Sequence, residues 1–404
     1  MKRTTEFIHT LILIFLALIP AVSCKNELWP VKDEESSLTR NAVSTAKRTI
    51  TIPDPDSKAS FVMIDVNIEG GTDEIILGED LIEVPYRTTV SSFSLARYET
   101  SYNTWYEVLQ WAKDKGYTIV KTGSEGEYGG IGSQTPMNTG EPKFVEMPVC
   151  GITWRDAMVW CNALSEMCGL TPVYYTDSNF KTPIKDSTGP ASEKLEDYSV
   201  QPGQVDNPYV NKNANGYRLA YREEWEYAAR KKTDGGFISG RNVSGDDSGA
   251  MFSPTAIDKM NGISFPVSKI YTNYLWCWRN SGSGSPKTAS GYDDSTAILQ
   301  KKNSSINGLR THLSGGKLPN HLGFYDMSGN VPEWCFDYNT TYGSTNKFHT
   351  MRSYKGGDQV NASYEGNPVH CSGNTGGQLV RECGGFRIAQ NIPKNNSSSE
   401  LGKN

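Results

Sequence analysis

The chain predicts an α+β fold, rich in loops, with short sheets and two main amphipathic helices. Two stripes carry the helices: Trp105, Val108, Leu109 and Ala112, then Ala157, Trp160, Cys161 and Leu164, each recurring at i, i+3, i+4 and i+7. Apolar and polar residues alternate over 48–52 and 60–68, the period of strands with one buried face. In 404 residues, 39 glycines, 11% aromatic residues and a mean hydropathy of −0.52 describe a loop-rich globular protein, long enough for one large domain or two.

Lys2 and Arg3 precede an apolar run from Leu11 to Ile19, then Pro20-Ala21-Val22-Ser23-Cys24. The run is too short to span a bilayer and reads as a secretory signal over 1–23. The small residues before Cys24 resemble a relaxed bacterial lipobox, which implies cleavage and lipidation of Cys24; the alternative is an ordinary cleaved signal with an incidental cysteine. Residues 24–48, polar and without apolar period, are expected to be a lipid-anchored flexible linker. An N-terminal strand region over 49–89 then precedes the main domain, 90–393, and a disordered tail, 394–404.

Within that domain a strand runs through Phe93 and Leu95 into the first helix, which Gly116 ends. Thr153 and Asp156 form a capping box for the second helix, which runs to Gly169. From Asn215 to Lys232 the pattern gives a strand, a turn and a third, short helix with Trp225, Ala228 and Ala229 inward. Gly, Ser, Asn and Thr dominate around Ser281 and from Thr288 to Gly316, marking long loops or an insertion.

A net charge of −5 with no basic stripe argues against nucleic acid, since nothing displaces phosphate counterions. Besides Cys24 there are seven cysteines: Cys150, Cys161, Cys168, Cys277, Cys335, Cys371 and Cys383. Outside the cytoplasm an odd number leaves at least one free thiol or an intermolecular bond.

Four segments stand out in order: Arg97-Tyr-Glu-Thr100; Ile152 to Asn162; Gly216 to Arg230; and a C-terminal set, GFYDMSGNVPEW (Gly323 to Trp334), KGG (Lys355 to Gly357) and GGFRIA (Gly384 to Ala389). Their order and spacing resemble the formylglycine-generating (sulfatase-modifying factor) family over Val90 to Asn391. The resemblance implies that family's C-type-lectin-like fold, with a C-terminal segment lining the ligand surface. Departures are Ala220-Tyr221 where the family has Pro-Thr, Pro332 where it has Trp, and Asp358-Gln359 where it has Ser and an aromatic.

Catalytic members hold copper between two closely spaced thiolates, because soft sulfur suits Cu(I). Here the stretch after Gly357 offers only Cys371 and Cys383, twelve residues apart, and Glu365 stands where many relatives have a cysteine. No copper and no catalytic residues are therefore expected. The related iron-dependent sulfoxide synthases need a histidine-rich site, whereas His312, His321, His349 and His370 are scattered and form no His-x3-His helix. Calcium, as a structural ion, is the cofactor the resemblance implies, through Asn330 and Glu333 with neighbouring carbonyls. The competing reading is a left-handed turn at Gly329-Asn330 with Glu333 bonded to nearby amides.

Asp358 to Gln378 is dominated by Asn, Ser, Gly, Asp, Tyr and His, a composition suited to adaptable hydrogen bonding around a rigid aromatic. The same residues also favour plain turns. Inserted between two framework motifs, the stretch reads as a recognition surface. It resembles the family branch of retroelement-diversified variable lipoproteins of the Treponema variable protein type, which implies Asp358, Asn361, Ser363, Tyr364, Asn367, His370, Ser372 and Asn374 as ligand contacts. The expectation is a non-catalytic lipoprotein, at the bacterial cell surface or the periplasmic face. It would be held to the membrane by its N-terminal lipid and bind an unidentified protein or glycan. The alternatives are a divergent copper-dependent oxidase and a structural envelope lipoprotein.

Overall fold

The structure, a computed structural model, describes residues 40–55, 57–77, 86–126, 138–189, 201–238, 242–248, 259–260, 263–264, 268, 270–276, 311–338, 352–357, 372–373 and 384–392. These lie in one compact unit, Thr39–Asn404. Among them, no helix is long and apolar enough to cross a membrane. Cys24 and the expected signal and tail lie outside the described residues.

The alternating segments form the strands β1 (Val43–Thr51) and β2 (Ser60–Ile68), paired antiparallel with Val43 opposite Ile68 and Thr51 opposite Ser60. A hairpin of β3 (Thr72–Leu77) and β4 (Tyr86–Ser91) follows, then β5 (Phe93–Ala96). The main sheet is antiparallel throughout, in the order β1-β2-β5-β17-β10, where β10 is Tyr217–Leu219 and β17 is Ile388–Asn391. Two expectations change here. The first strand begins at Val43, inside the stretch assigned to the linker, and β2 of the 49–89 region pairs directly with β5 in the main sheet, while β3 and β4 form a sheet of their own. The earlier start comes from the pairing of residues 43–47 with residues 64–68, and Arg48 ties β1 to the rest of the sheet, reaching Asp65 of β2 at 3.0 Å, Ser94 of β5 at 2.9 Å and Gln390 of β17.

Helices α1 (Tyr102–Lys113) and α2 (Trp154–Met167) pack as the core pair, with Trp105 and Trp160 stacked at 5.4 Å and Phe386 edge-on to both. Ser101 caps α1, and Thr153 with Asp156 forms the expected capping box on α2. The glycines beyond both helices, Gly116 and Gly169, adopt positive φ of 76° and 68°, the conformation that lets a chain leave a helix cheaply. However, α2 is not a surface helix with one wet face. Arg155, Asp156, Asn162 and Ser165 are buried with its apolar stripe, and Arg155 pairs with Asp206. Helix α3 (Arg222–Arg230) buries Trp225, Ala228 and Ala229 as expected.

Short ladders tie down the loops: β6 (Ser124–Glu125) with β7 (Val149–Cys150), β8 (Tyr174–Tyr175) with β9 (Tyr209–Val210), and β11 (Lys259–Met260) with β12 (Ile263–Ser264). A second sheet has the order β15-β14-β13-β16, from β13 (Glu333–Tyr338), β14 (Arg352–Lys355), β15 (Ser372–Gly373) and β16 (Gly385–Phe386). The end of the stretch assigned to loops is packed, because Thr311, His312 and Ser314 are buried.

A candidate ligand platform and its buried charge frame

All three C-terminal motifs meet around one carboxylate. Glu333, at the start of β13, is fully buried and accepts from Trp225 Nε1 at 2.7 Å and from Arg387 at 2.9 Å (Nε) and 2.6 Å (Nη2). Arg387 also donates to the carbonyls of Ala96 and Tyr325, so one guanidinium joins β5, the 323–334 motif and the C-terminal motif. Lys355 is equally buried and pairs with Glu226 of α3 at 3.0 Å. Charges withdrawn from water this completely are sustained only by close partners and full hydrogen bonding.

Two further acids crowd this centre. Glu99 accepts from Ser314 Oγ and Asn330 Nδ2, both at 2.7 Å, and from the Val331 N–H at 3.1 Å. Burial pushes its carboxyl well above the usual range, with Asp326 and Glu333 adding to the shift and Arg387 opposing it. Asp326, in the left-handed region with φ 53°, accepts from the Gly315 N–H at 2.6 Å. Its pKa rises to about 6, chiefly through burial.

The pair expected to hold calcium is occupied by protein donors and acceptors. Gly329 and Asn330 form the left-handed turn, φ 77° and 62°. Asn330 Oδ1 accepts from the His312 N–H at 2.8 Å, and its amide donates to Glu99 and to the His312 carbonyl. The Pro332 carbonyl accepts from the Gly385 N–H. A cation at Glu333 would have to displace Arg387, and Asn330 already bonds to Glu99 and His312. The signal missed in sequence was Arg387 itself, a strongly basic residue inside an otherwise apolar motif.

This frame fixes the stems of the expected recognition stretch. The chain leaves β14 through Gly356 and Gly357, both with positive φ, 92° and 70°. It returns at β15, where Ser372 stands opposite Tyr354 of β14, and again at β16, which pairs parallel with β13. At Gly385 a Cβ would sit 2.6 Å from the Val149 carbonyl, so the second return needs glycine. Of the proposed contacts, only Ser372 lies among the described residues, as a strand residue. Asp358, Asn361, Ser363, Tyr364, Asn367, His370 and Asn374 lie outside them, as do Glu365, Cys371 and Cys383. Among the described cysteines, burial raises the Cys161 thiol far above its ordinary range and that of Cys168 to about 11, which disfavours thiolate chemistry at both.

A loop-rich α+β domain with a five-stranded main sheet and a four-stranded C-terminal sheet is the class defined by this geometry. Residues 53–392 match the Sulfatase-modifying factor enzyme 1-like domain, and the chain belongs to that family. Similar solved structures are CarF (TM-score 0.51, 23% identity, covering 82% of this chain and 98% of that one) and Treponema denticola variable protein 1 (TM-score 0.51, 20% identity, covering 86% and 99%). At these identities they bear on the fold alone. A protein named chaperone protein LppX from Paenibacillus barcinonensis is 28% identical over 277 residues, 68% of this chain and 71% of its own length.

Proposed function

We propose that this protein is a non-catalytic, lipid-anchored binding protein of the bacterial envelope. It presents Asp358 to Gln378 to its ligand from the cell surface or the periplasmic face. The observation that carries the reading is the platform: a sheet locked by Glu333–Arg387 and Lys355–Glu226 holds both stems of a polar, Tyr- and Asn-rich stretch. Recognition residues concentrate on loops held by such a scaffold. The relative named as a chaperone favours a protein ligand over a glycan. The spacing of Cys371 and Cys383 and the carboxylate at Glu365 disfavour copper oxidase chemistry.

The test is a pull-down from envelope extract with the full chain and with Tyr364→Ala/His370→Ala/Asn374→Ala. Selective loss of a partner from the triple variant is expected, and equal recovery of every partner by both chains would remove the recognition surface. Conversion of a sulfatase-motif cysteine peptide to the aldehyde by copper-loaded protein would establish the oxidase instead. Retroelement diversification of the stretch requires an adenine-rich near-copy of its coding segment beside a reverse-transcriptase gene.

A further inference from the structure

On the Glu99 side of the charge frame, a cavity of about 200 Å³ opens between β2, the segment leading into α1, and residues 145–146. Phe61, Tyr98, Glu99, Thr100, Val145 and Ser314 are the lining residues that bear on its chemistry. It is smaller than the roughly 300–1,000 Å³ of pockets for drug-sized ligands, and so suits one side chain.

Three observations define what would fit. Thr100 is only 3% exposed, yet its Oγ1 has no hydrogen-bond partner, a costly condition unless a guest supplies one. Glu99 uses three acceptor positions on Ser314, Asn330 and Val331, which leaves capacity for another donor. The lining carries two carboxylates, Glu99 and Glu146, and no basic side chain, while Phe61, Tyr98 and Val145 supply aromatic and aliphatic wall. Arg97, the nearest cation in sequence, does not line the cavity: it donates to the Gly323 carbonyl and the Tyr325 hydroxyl, with its guanidinium 5.2 Å from the Tyr98 ring centre.

We propose that this cavity binds a primary ammonium on an aliphatic stem, either a lysine side chain of a protein or a free alkylamine. The ammonium carries donors for Glu99 and Thr100, its charge answers the carboxylates, and its methylenes pack against Phe61, Tyr98 and Val145. Binding is coupled to a proton. Burial, with Asp326 and Glu333 and against Arg387, favours the neutral Glu99 carboxyl, and an ammonium beside it favours the ionised form. Affinity for the amine therefore rises with pH across the range in which Glu99 ionises.

Calorimetric titration of the full-length protein tests this with three probes: Nα-acetyl-lysine methylamide, cadaverine, and the uncharged Nα-acetyl-norleucine methylamide. Saturable binding of an amine is expected, at least tenfold tighter than the norleucine probe, tighter at alkaline than at acidic pH, and with proton release seen on changing buffer. Preference for the lysine probe identifies a protein side chain as the source, and preference for cadaverine a free amine. Thr100→Val loses only the unpartnered hydroxyl, so it should keep the wild-type melting temperature while binding at least tenfold more weakly. Val145→Arg, at a position 60% exposed, brings a competing cation to the mouth and should abolish binding. Absence of saturable binding by either amine, equal binding of norleucine, or wild-type affinity in both variants overturns the proposal.

Discussion

Arg387 shows how much one side chain carries. Among the described residues it is the only cation bonded directly to Glu333, with Glu99 and Asp326 close by. Arg387→Leu would leave Glu333 buried and uncompensated, which costs about 3–5 kcal/mol, read as a fall in the urea midpoint. Asp326 gives a sign that acid-labile ion pairs do not. Its pKa rises from 3.8 unfolded to about 6 folded, so the folded state binds its proton more tightly. The stability it contributes is present below the unfolded value and is lost as pH rises through the folded one. Asp326→Asn keeps an acceptor for Gly315 and removes that titration. Urea midpoints at about pH 4.5 and about pH 7.5 should show the variant gaining on wild type with pH; a parallel pH response would exclude the assignment.

Elements were legible where their signal is local. The i, i+3, i+4, i+7 stripes located α1 and α2, and Thr153 with Asp156 located the start of α2, because periodicity and capping are written within a few residues. The burial of the polar face of α2 was not legible, since its partners are distant in sequence: Asp206 for Arg155, the carbonyls of Tyr174 and Ile184 for Asn162, and Tyr217 for Ser165. The same distinction ranks two substitutions. Thr153→Ala removes a cap, at a cost of about 1 kcal/mol. Asp156→Ala also strips acceptors from Val120 N–H and Ser187 Oγ, so it should lower the melting temperature further. Equal melting temperatures would show that these extra bonds contribute nothing.

On the scale of the molecule, the main sheet begins earlier than composition implied. Residues 43–48 are polar enough to resemble a linker because β1 is an edge strand with most of its side chains in water. Deleting residues 40–51 would bare the edge of β2 and remove the bonds of Arg48 to Asp65, Ser94 and Gln390. The shortened chain is expected to melt at lower temperature and to self-associate in light scattering, and an unchanged monomer would contradict this role. By itself the sequence determined the α+β class, the helices and the family motifs, all carried by residue type and short spacing. Only the tertiary structure decided that Asn330 and Glu333 serve a buried charge frame, that β1 belongs to the main sheet, and that Glu99 and Thr100 line a cavity. Those outcomes depend on which distant groups meet out of water, where the loss of hydration makes the partner, and not the residue type, decide the role.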